Sequence, residues 1–177
     1  MIETERLILR PWEDRDRATL RAQCDDPDVM RFLLPVEDDA AFEAMLGRLA
    51  TWHKDHGYTF WVMERRADGV VLGICGLKQG APDTPIENML EIGWRLGSAH
   101  WGQGYAREAA QASLDWTWAN LDVDEIVAIT VQANGGSWGL MERLGMTRDL
   151  GGDFDHPLVA EGNPLRRHIL YRIARPA

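Results

Sequence analysis

The chain reads as an α+β domain built on a central mixed sheet, and three stretches carry that expectation. Thr59 to Arg65 (TFWVMER) and Val70 to Lys78 (VVLGICGLK) are strand-like runs joined by the hairpin signal Ala67-Asp68-Gly69, so they pair antiparallel. Glu91 to Arg107 (EIGWRLGSAHWGQGYAR) passes from an apolar strand through a glycine turn into a long helical pattern. Leu165 to Ile173 (LRRHILYRI) returns as a final strand, and strands, then helices, then strands favour this class of packing.

Taken in order, Arg6 to Trp12 (RLILRPW) alternates up to Pro11 as a strand with one covered face. Asp14 reads as the cap of a helix over Arg15 to Cys24 with Ala18, Leu20 and Ala22 available for burial, and Asp25-Asp26-Pro27 ends it. A short helical turn follows over Val29 to Leu34 before Pro35. From Asp39 to His53, Phe42, Met45, Leu46, Leu49 and Trp52 recur at helical spacing, and Gly57 stops that helix. Gly80 to Glu87, with two prolines, is expected as an exposed loop bordering a substrate entrance. The helix after the glycine turn runs to about Ala119, with Ala106, Ala109, Ala110, Ser113, Leu114 and Thr117 as a small-residue face that allows close packing on a sheet. Glu125 to Gln132 (EIVAITVQ) is a buried strand, Ala133 to Ser137 opens a helix that ends at Gly145, and Phe154 stands in a Gly- and Asp-rich stretch.

A length of 177 residues, 45% hydrophobic, suits one domain over 1–177 with one sizeable core. No apolar run reaches a membrane span, and MIETERLILR has charges where a signal peptide needs its apolar stretch, so a cytoplasmic protein without membrane contact is expected. Cys24 and Cys75 fit no metal spacing and read as free, partly buried thiols. The net charge of −9 disfavours nucleic acid, which needs basic surface; it either draws cationic partners such as amines or merely keeps the protein soluble.

The glycine turn of the central stretch has its own chemistry. Glycines let a backbone approach a ligand without Cβ interference, and a helix start offers unpaired N–H groups at the positive end of the dipole. A pyrophosphate suits such a place. RLILRPW, EIGWRL, WGQGYAREA, Asn134-x-x-Ser137 and Leu144-Gly145-Met146, in this order over nearly the whole chain, resemble the GNAT acetyltransferases, and among them the ribosomal-protein N-terminal (serine/alanine) acetyltransferases.

That resemblance implies an α/β/α sandwich with a mixed, mostly antiparallel sheet, acetyl-CoA as co-substrate and no metal. It implies a phosphate cradle from Trp101, Gly102, Gln103, Gly104, Tyr105, Ala106 and Arg107, with Trp101 where the superfamily pattern has Gln or Arg. Trp94, Arg95 and Leu96 would offer main-chain hydrogen bonds to the pantetheine arm, Asn134 would bind the same arm, and Arg143 would reach a CoA phosphate. The partner is an amine acceptor, a protein N-terminus or a small molecule, and the protein a monomer or homodimer.

Acetyl transfer by direct attack needs a neutral amine, a polarised thioester carbonyl and a proton for the leaving thiolate. By family geometry an N–H near Leu96 serves the carbonyl. The position where many members carry a proton-donating tyrosine is Met141. Ser137 has two readings, proton donor or cap of the following helix. Glu91 is the candidate base, set against ordinary pairing with a basic neighbour. His100, His156 and His168 read as surface or hairpin residues, and His53 and His56 as helix-end residues. Trp52 and Trp61 are placed beside a substrate channel. A peptide α-amine of pKa about 7.8 is roughly 14% neutral at pH 7 and a lysine amine near 10.4 only about 0.04%, a gap of about 3.5 kcal/mol. A weak base therefore favours a protein N-terminal α-amine; the alternatives are a small-molecule amine, such as an antibiotic or metabolite, or a non-catalytic acyl-CoA-binding module. Cys75, in mid-strand, reads as packing rather than as a covalent nucleophile.

Overall fold

The computed structural model describes residues 1–176. Its elements are β1 (Ile2–Glu3), β2 (Leu7–Arg10), α1 (Arg17–Asp25), α2 (Pro27–Met30), α3 (Asp39–His56), β3 (Phe60–Arg65), β4 (Val71–Gln79), β5 (Leu90–Leu96), α4 (Tyr105–Asn120), β6 (Glu125–Val131), α5 (Gly135–Arg143), β7 (Thr147–Asp155) and β8 (Arg167–Ala174). They form an eight-stranded sheet in the order β1-β2-β3-β4-β5-β6-β8-β7, antiparallel except where β5 meets β6. On one face the small residues Ala109, Ala110 and Ser113 let α4 lie close over Leu7, Leu9, Met63, Leu72 and Leu77. On the other, Leu20 and Cys24 of α1 and Phe42 and Leu46 of α3 cover Val62 and Ile74. The result is the expected α/β/α sandwich.

Several local expectations need correction. The cap before α1 belongs to Glu13 and Asp16, which close a reciprocal capping box around the 3₁₀ turn Asp14–Asp16, not to Asp14. Asp16 is drawn inward by Arg10, whose guanidinium bonds both its oxygens at 2.7 and 2.8 Å. Ala18 and Ala22 are exposed, while Gln23 and Cys24 join Leu20 inside. The short helix lies at Pro27–Met30, earlier than Val29 to Leu34, because Asp26 accepts from Asp28 and Val29 N–H and Pro27 needs no donor at the first turn. The stretch from Gly80 to Glu87 is only partly exposed: Ile86 is fully buried and Thr84 nearly so. β7 was not expected; it is an edge strand whose pairing with β8 shifts between Asp149 and Phe154.

The feature that creates the site is a failed pairing. β5 and β6 align only at Leu90–Ile126 and Glu91–Val127 and then separate. Gly97 N–H donates to Leu72 O and Gly80 N–H to Met89 O, both at 2.9 Å, which fixes the phase of the β4–β5 ladder. By that phase Glu91, Gly93 and Arg95 bond β4, while Trp94 and Leu96 turn their main chain into the gap.

Candidate active site

At the far end of β5 the chain makes a short 3₁₀ turn, Ser98–His100, and enters α4 through Gly102 and Gly104, at φ 72° and 81°. Left-handed backbone at both positions accounts for the glycines. No side chain caps α4, so the N–H groups of its first turn face outward without a partner. The cradle is held from behind. The Glu108 carboxylate accepts from Thr4 Oγ1 at 2.6 Å, Arg6 N at 2.8 Å and Arg6 Nε at 2.6 Å, and Arg6 Nη1 donates to Gln103 O at 3.0 Å. Trp101 Nε1 donates to Leu96 O at 3.0 Å and ties the turn to the strand end.

A cleft of about 720 Å³ opens in front, lined by Trp101, Gly102, Gly104, Tyr105, Ala106 and Arg107. Gln103 does not line it, since its side chain turns back to Ala99 O at 3.1 Å. Arg31, Arg107 and Arg143 do, and none of them has a carboxylate within 4.0 Å among the described residues. Arg31 was not foreseen; it follows α2, which Asp26 anchors by capping it and by accepting from Ser98 Oγ at 2.7 Å. Unpaired N–H groups and unpaired arginines around one cleft fit the pyrophosphate and phosphates of acetyl-CoA. Trp94 and Leu96 can receive the pantetheine arm. Arg95 cannot do so through its main chain, which the β4 ladder uses.

A second cavity of about 600 Å³ lies on the α3 side of the sheet. Met45, Arg48, Leu49 and Trp52 of α3 form one wall, and His156, Leu158, Val159, Leu165 and His168 another. Trp61, by contrast, is core, only 1% exposed. The two cavities share Phe32, Leu33, Trp94, Arg95, Asn134 and Ser137. There the cleft in front of α4 meets the cavity beside α3.

Asn134 settles one alternative. Its Oδ1 accepts from Ser137 N–H at 3.3 Å and its amide donates to Thr130 Oγ1 at 3.0 Å, so Asn134 caps α5 and Ser137 does not. The capping reading of Ser137 is thereby overturned, and no bond to its hydroxyl is formed among the described residues. Met141, buried and protonless, stands beside it in the same cavity.

Glu91 faces the second cavity with Lys78 Nζ 2.9 Å from its Oε2, close enough for an ion pair though not aligned as a hydrogen bond. Burial pushes its carboxyl above the usual range, and Lys78 pulls it back only in part. His156 and His168 belong to the β7–β8 hairpin, as one of the two readings has it, but are half-buried rather than surface residues: both line the cavity, with ring centroids 5.2 Å apart. Burial first, then the charge of Lys78 among neighbours, holds both below the ordinary histidine value. His168 Nδ1 lies 3.2 Å from Arg166 O, a carbonyl that only accepts, so Nδ1 carries the proton and Nε2 keeps its lone pair. His100 lines the cleft in front of α4. Burial pushes the Cys75 thiol up to about 12, which removes it as a nucleophile.

A family model for the acetyltransferase (GNAT) domain matches residues 6–147, and the chain belongs to that family. It is an acetyl-CoA-dependent N-acetyltransferase. The chain is 35% identical to the uncharacterized protein YkkB of Bacillus subtilis, over 81% of this chain and 83% of that one. Among solved structures it is similar to a ribosomal-protein-S5-alanine acetyltransferase from Vibrio fischeri (20% identical, TM-score 0.73, 98% and 95% of the two chains covered). It is equally similar to a spermidine N-acetyltransferase from Vibrio cholerae (18%, TM-score 0.74, 97% of each chain covered). At these identities the likeness shows the fold alone, and it does not favour the ribosomal-protein subgroup.

Proposed function

We propose that this enzyme acetylates α-amines, of a peptide N-terminus or a small molecule, by direct attack within a ternary complex. The observation that supports this reading is the meeting of the two cavities at Trp94, Asn134 and Ser137. The cradle of α4 and Arg31, Arg107 and Arg143 hold the phosphates. The main chain of Trp94 and Leu96 orients the pantetheine arm, and Leu96 N–H faces the charge that develops on the thioester oxygen. Ser137 Oγ supplies the proton to the departing sulfur, directly or through water. Acetyl-CoA brings the activated acyl group.

His168 Nε2 takes the proton of the acceptor amine, with His156 beside it. Glu91, the base expected from the sequence, is occupied by Lys78, and its removal should be the milder change. A base held below the ordinary histidine value is neutral at pH 7 but weakly basic, which keeps the preference for α-amines over ordinary lysines.

The test is a mass-spectrometric acceptor screen with acetyl-CoA, using N-terminal peptides, α-blocked lysine peptides, polyamines and amino acids, for wild type, Ser137→Ala, His168→Gln and Glu91→Gln. Faster transfer to α-amines, reduced by the first two substitutions more than the third, is expected. Equal turnover of α-blocked lysine peptides would sink the α-amine assignment.

A further inference from the structure

The arginines sort by location. Most are matched to a carboxylate, as with Arg6, Arg10, Arg65, Arg148 and Arg172, or donate to backbone carbonyls, as do Arg66 and Arg175. Among the described residues, Arg31, Arg48, Arg95, Arg107 and Arg143 have neither kind of partner, and all line one of the two cavities. In a chain with 28 acidic residues against 19 basic ones, unmatched arginines gathered around cavities are not accounted for by a shortage of carboxylates.

Arg31, Arg107 and Arg143 face the cofactor cleft. Arg48 and Arg95 remain. Arg95 lies where the cavities join, and the groups nearest its guanidinium are sulfurs: Met30 Sδ 4.0 Å from Nη1, Met45 Sδ 3.9 Å from Nη2, and the Cys24 thiol. Its Nε is buried with no acceptor. Thioether and thiol sulfurs are weak acceptors, and among the described residues no carboxylate lies within 4.0 Å, so this cation is desolvated without a carboxylate partner. Among the described residues, the only carboxylate lining the acceptor cavity is Glu91, which Lys78 already matches. The cavity is therefore cationic, although the chain carries a net charge of −9.

We infer that the acceptor brings its own anion: the site takes a small, apolar α-amino acid whose carboxylate pairs with Arg95, with Arg48 as a second cation on the cavity wall. This rests on the α-amine reading above and narrows it. Arg95 stands at the junction where the acetyl group arrives, so a carboxylate held there brings an amine to the thioester only if both groups sit on one carbon. The wall of Met45, Leu49, Trp52, Phe60 and Leu158 suits an apolar side chain, and the volume suits a small ligand. The cations also assist the chemistry, because neutralising the carboxylate and adding positive charge nearby both disfavour the ammonium form. Polyamines meet the wrong sign of charge.

Kinetics with leucine, phenylalanine, their carboxamides and spermidine test the inference, with Arg95→Met, Arg95→Lys and Arg48→Gln beside wild type. The expected kcat/KM for each acid exceeds that of its amide by at least about tenfold, although more of the amide's amine is unprotonated at neutral pH. Arg95→Met should bring that ratio near one with CoA affinity unchanged, and Arg95→Lys should restore part of it. Arg48 is exposed, so Arg48→Gln folds without difficulty and should reduce the ratio less. A second arm needs no turnover: calorimetric titration of the CoA-loaded protein with N-acetylleucine and with N-acetylleucine amide. Binding of the first alone, lost in Arg95→Met, supports the anion site even if no amine is acetylated, in which case the α-amine reading fails by itself. An acid-to-amide ratio near one in wild type, spermidine outpacing leucine, or Arg95→Met weakening CoA instead would each overturn the inference.

Discussion

Gly104→Ala tests the cofactor cradle, provided backbone strain is separated from the loss of binding geometry. Gly104 sits at φ 81°, and an added Cβ would meet only Arg6 Nη2, at 3.3 Å. Gly57, which ends α3, has nearly the same conformation, φ 79°, with nothing within 4 Å of an added Cβ, and it lines neither cavity. Left-handed backbone costs an L-residue about 1–2 kcal/mol, so Gly104→Ala and Gly57→Ala should lose similar stability. For a chain of this size that is a fall in Tm of roughly 2–8 °C in each. Their effects on CoA should differ. Strain at Gly104 relaxes by rotating the peptides whose N–H groups form the cradle, whereas strain at Gly57 relaxes in a helix end that binds nothing. The expected rise in CoA Kd is at least about tenfold, or roughly 1.4 kcal/mol, for Gly104→Ala and none for Gly57→Ala. Thermal melts and calorimetry measure both quantities. Equal falls in Tm with unchanged CoA affinity in both variants would show that the phosphates bind elsewhere.

Other perturbations probe separate links. Ser137→Ala should leave Tm unchanged, because Asn134 makes the cap, while kcat falls about 10²-fold at constant CoA Kd; Asn134→Ala should instead lose about 1 kcal/mol of stability, read by melting. Arg10→Ala strands the buried Asp16 carboxylate, while Glu64 keeps Arg15, and should cost about 3–5 kcal/mol, measurable by urea denaturation. For Asp16 burial acts upward, yet the bonds from Arg10 and Glu13 N–H outweigh it and the carboxyl ends below its ordinary value. A depressed carboxyl stabilises above the unfolded pKa, so Tm should hold down to pH of about 4 and then fall as the folded group protonates. A pH series that falls equally in Asp16→Asn would assign the acid transition to other groups. With a histidine base, log kcat/KM should rise with pH through a value below the ordinary 6.5 and then level, and His168→Gln should remove that limb while Glu91→Gln keeps it.

Much of the fold was legible because its strands carry simple patterns. β3 and β4 announce themselves by apolar runs around Ala67-Asp68-Gly69, and β6 by continuous burial. β7 was hidden because an edge strand with one partner needs neither alternation nor a full apolar face, and Gly151 and Gly152 break its register. The cofactor half of the site was legible for a related reason: glycine at φ 72° and 81° leaves a mark in the sequence. Its acceptor half is assembled by topology. Arg48 comes from α3, Arg95 from β5 and His168 from β8, and no local spacing links them. Lys78 meets Glu91 only through antiparallel register. Ser137 was ambiguous because serine near a helix start suits capping and chemistry alike, and only the bond from its N–H to Asn134 Oδ1 separates them.

The separation of β5 from β6 also bears on how the molecule coheres. Two aligned residue pairs join β1 to β5 with β6 to β8, so the sheet has a seam where the ladder lacks rungs. A ligand whose amides bond Trp94 and Leu96 would supply rungs there and act as part of the sheet while bound. Cofactor affinity and folding cooperativity then draw on the same bonds, and stabilisation should grow with the logarithm of cofactor concentration above its Kd. Amide hydrogen exchange at Trp94 and Leu96 would slow on binding, and the protein would be most easily pulled apart after each turnover, when the seam is bare.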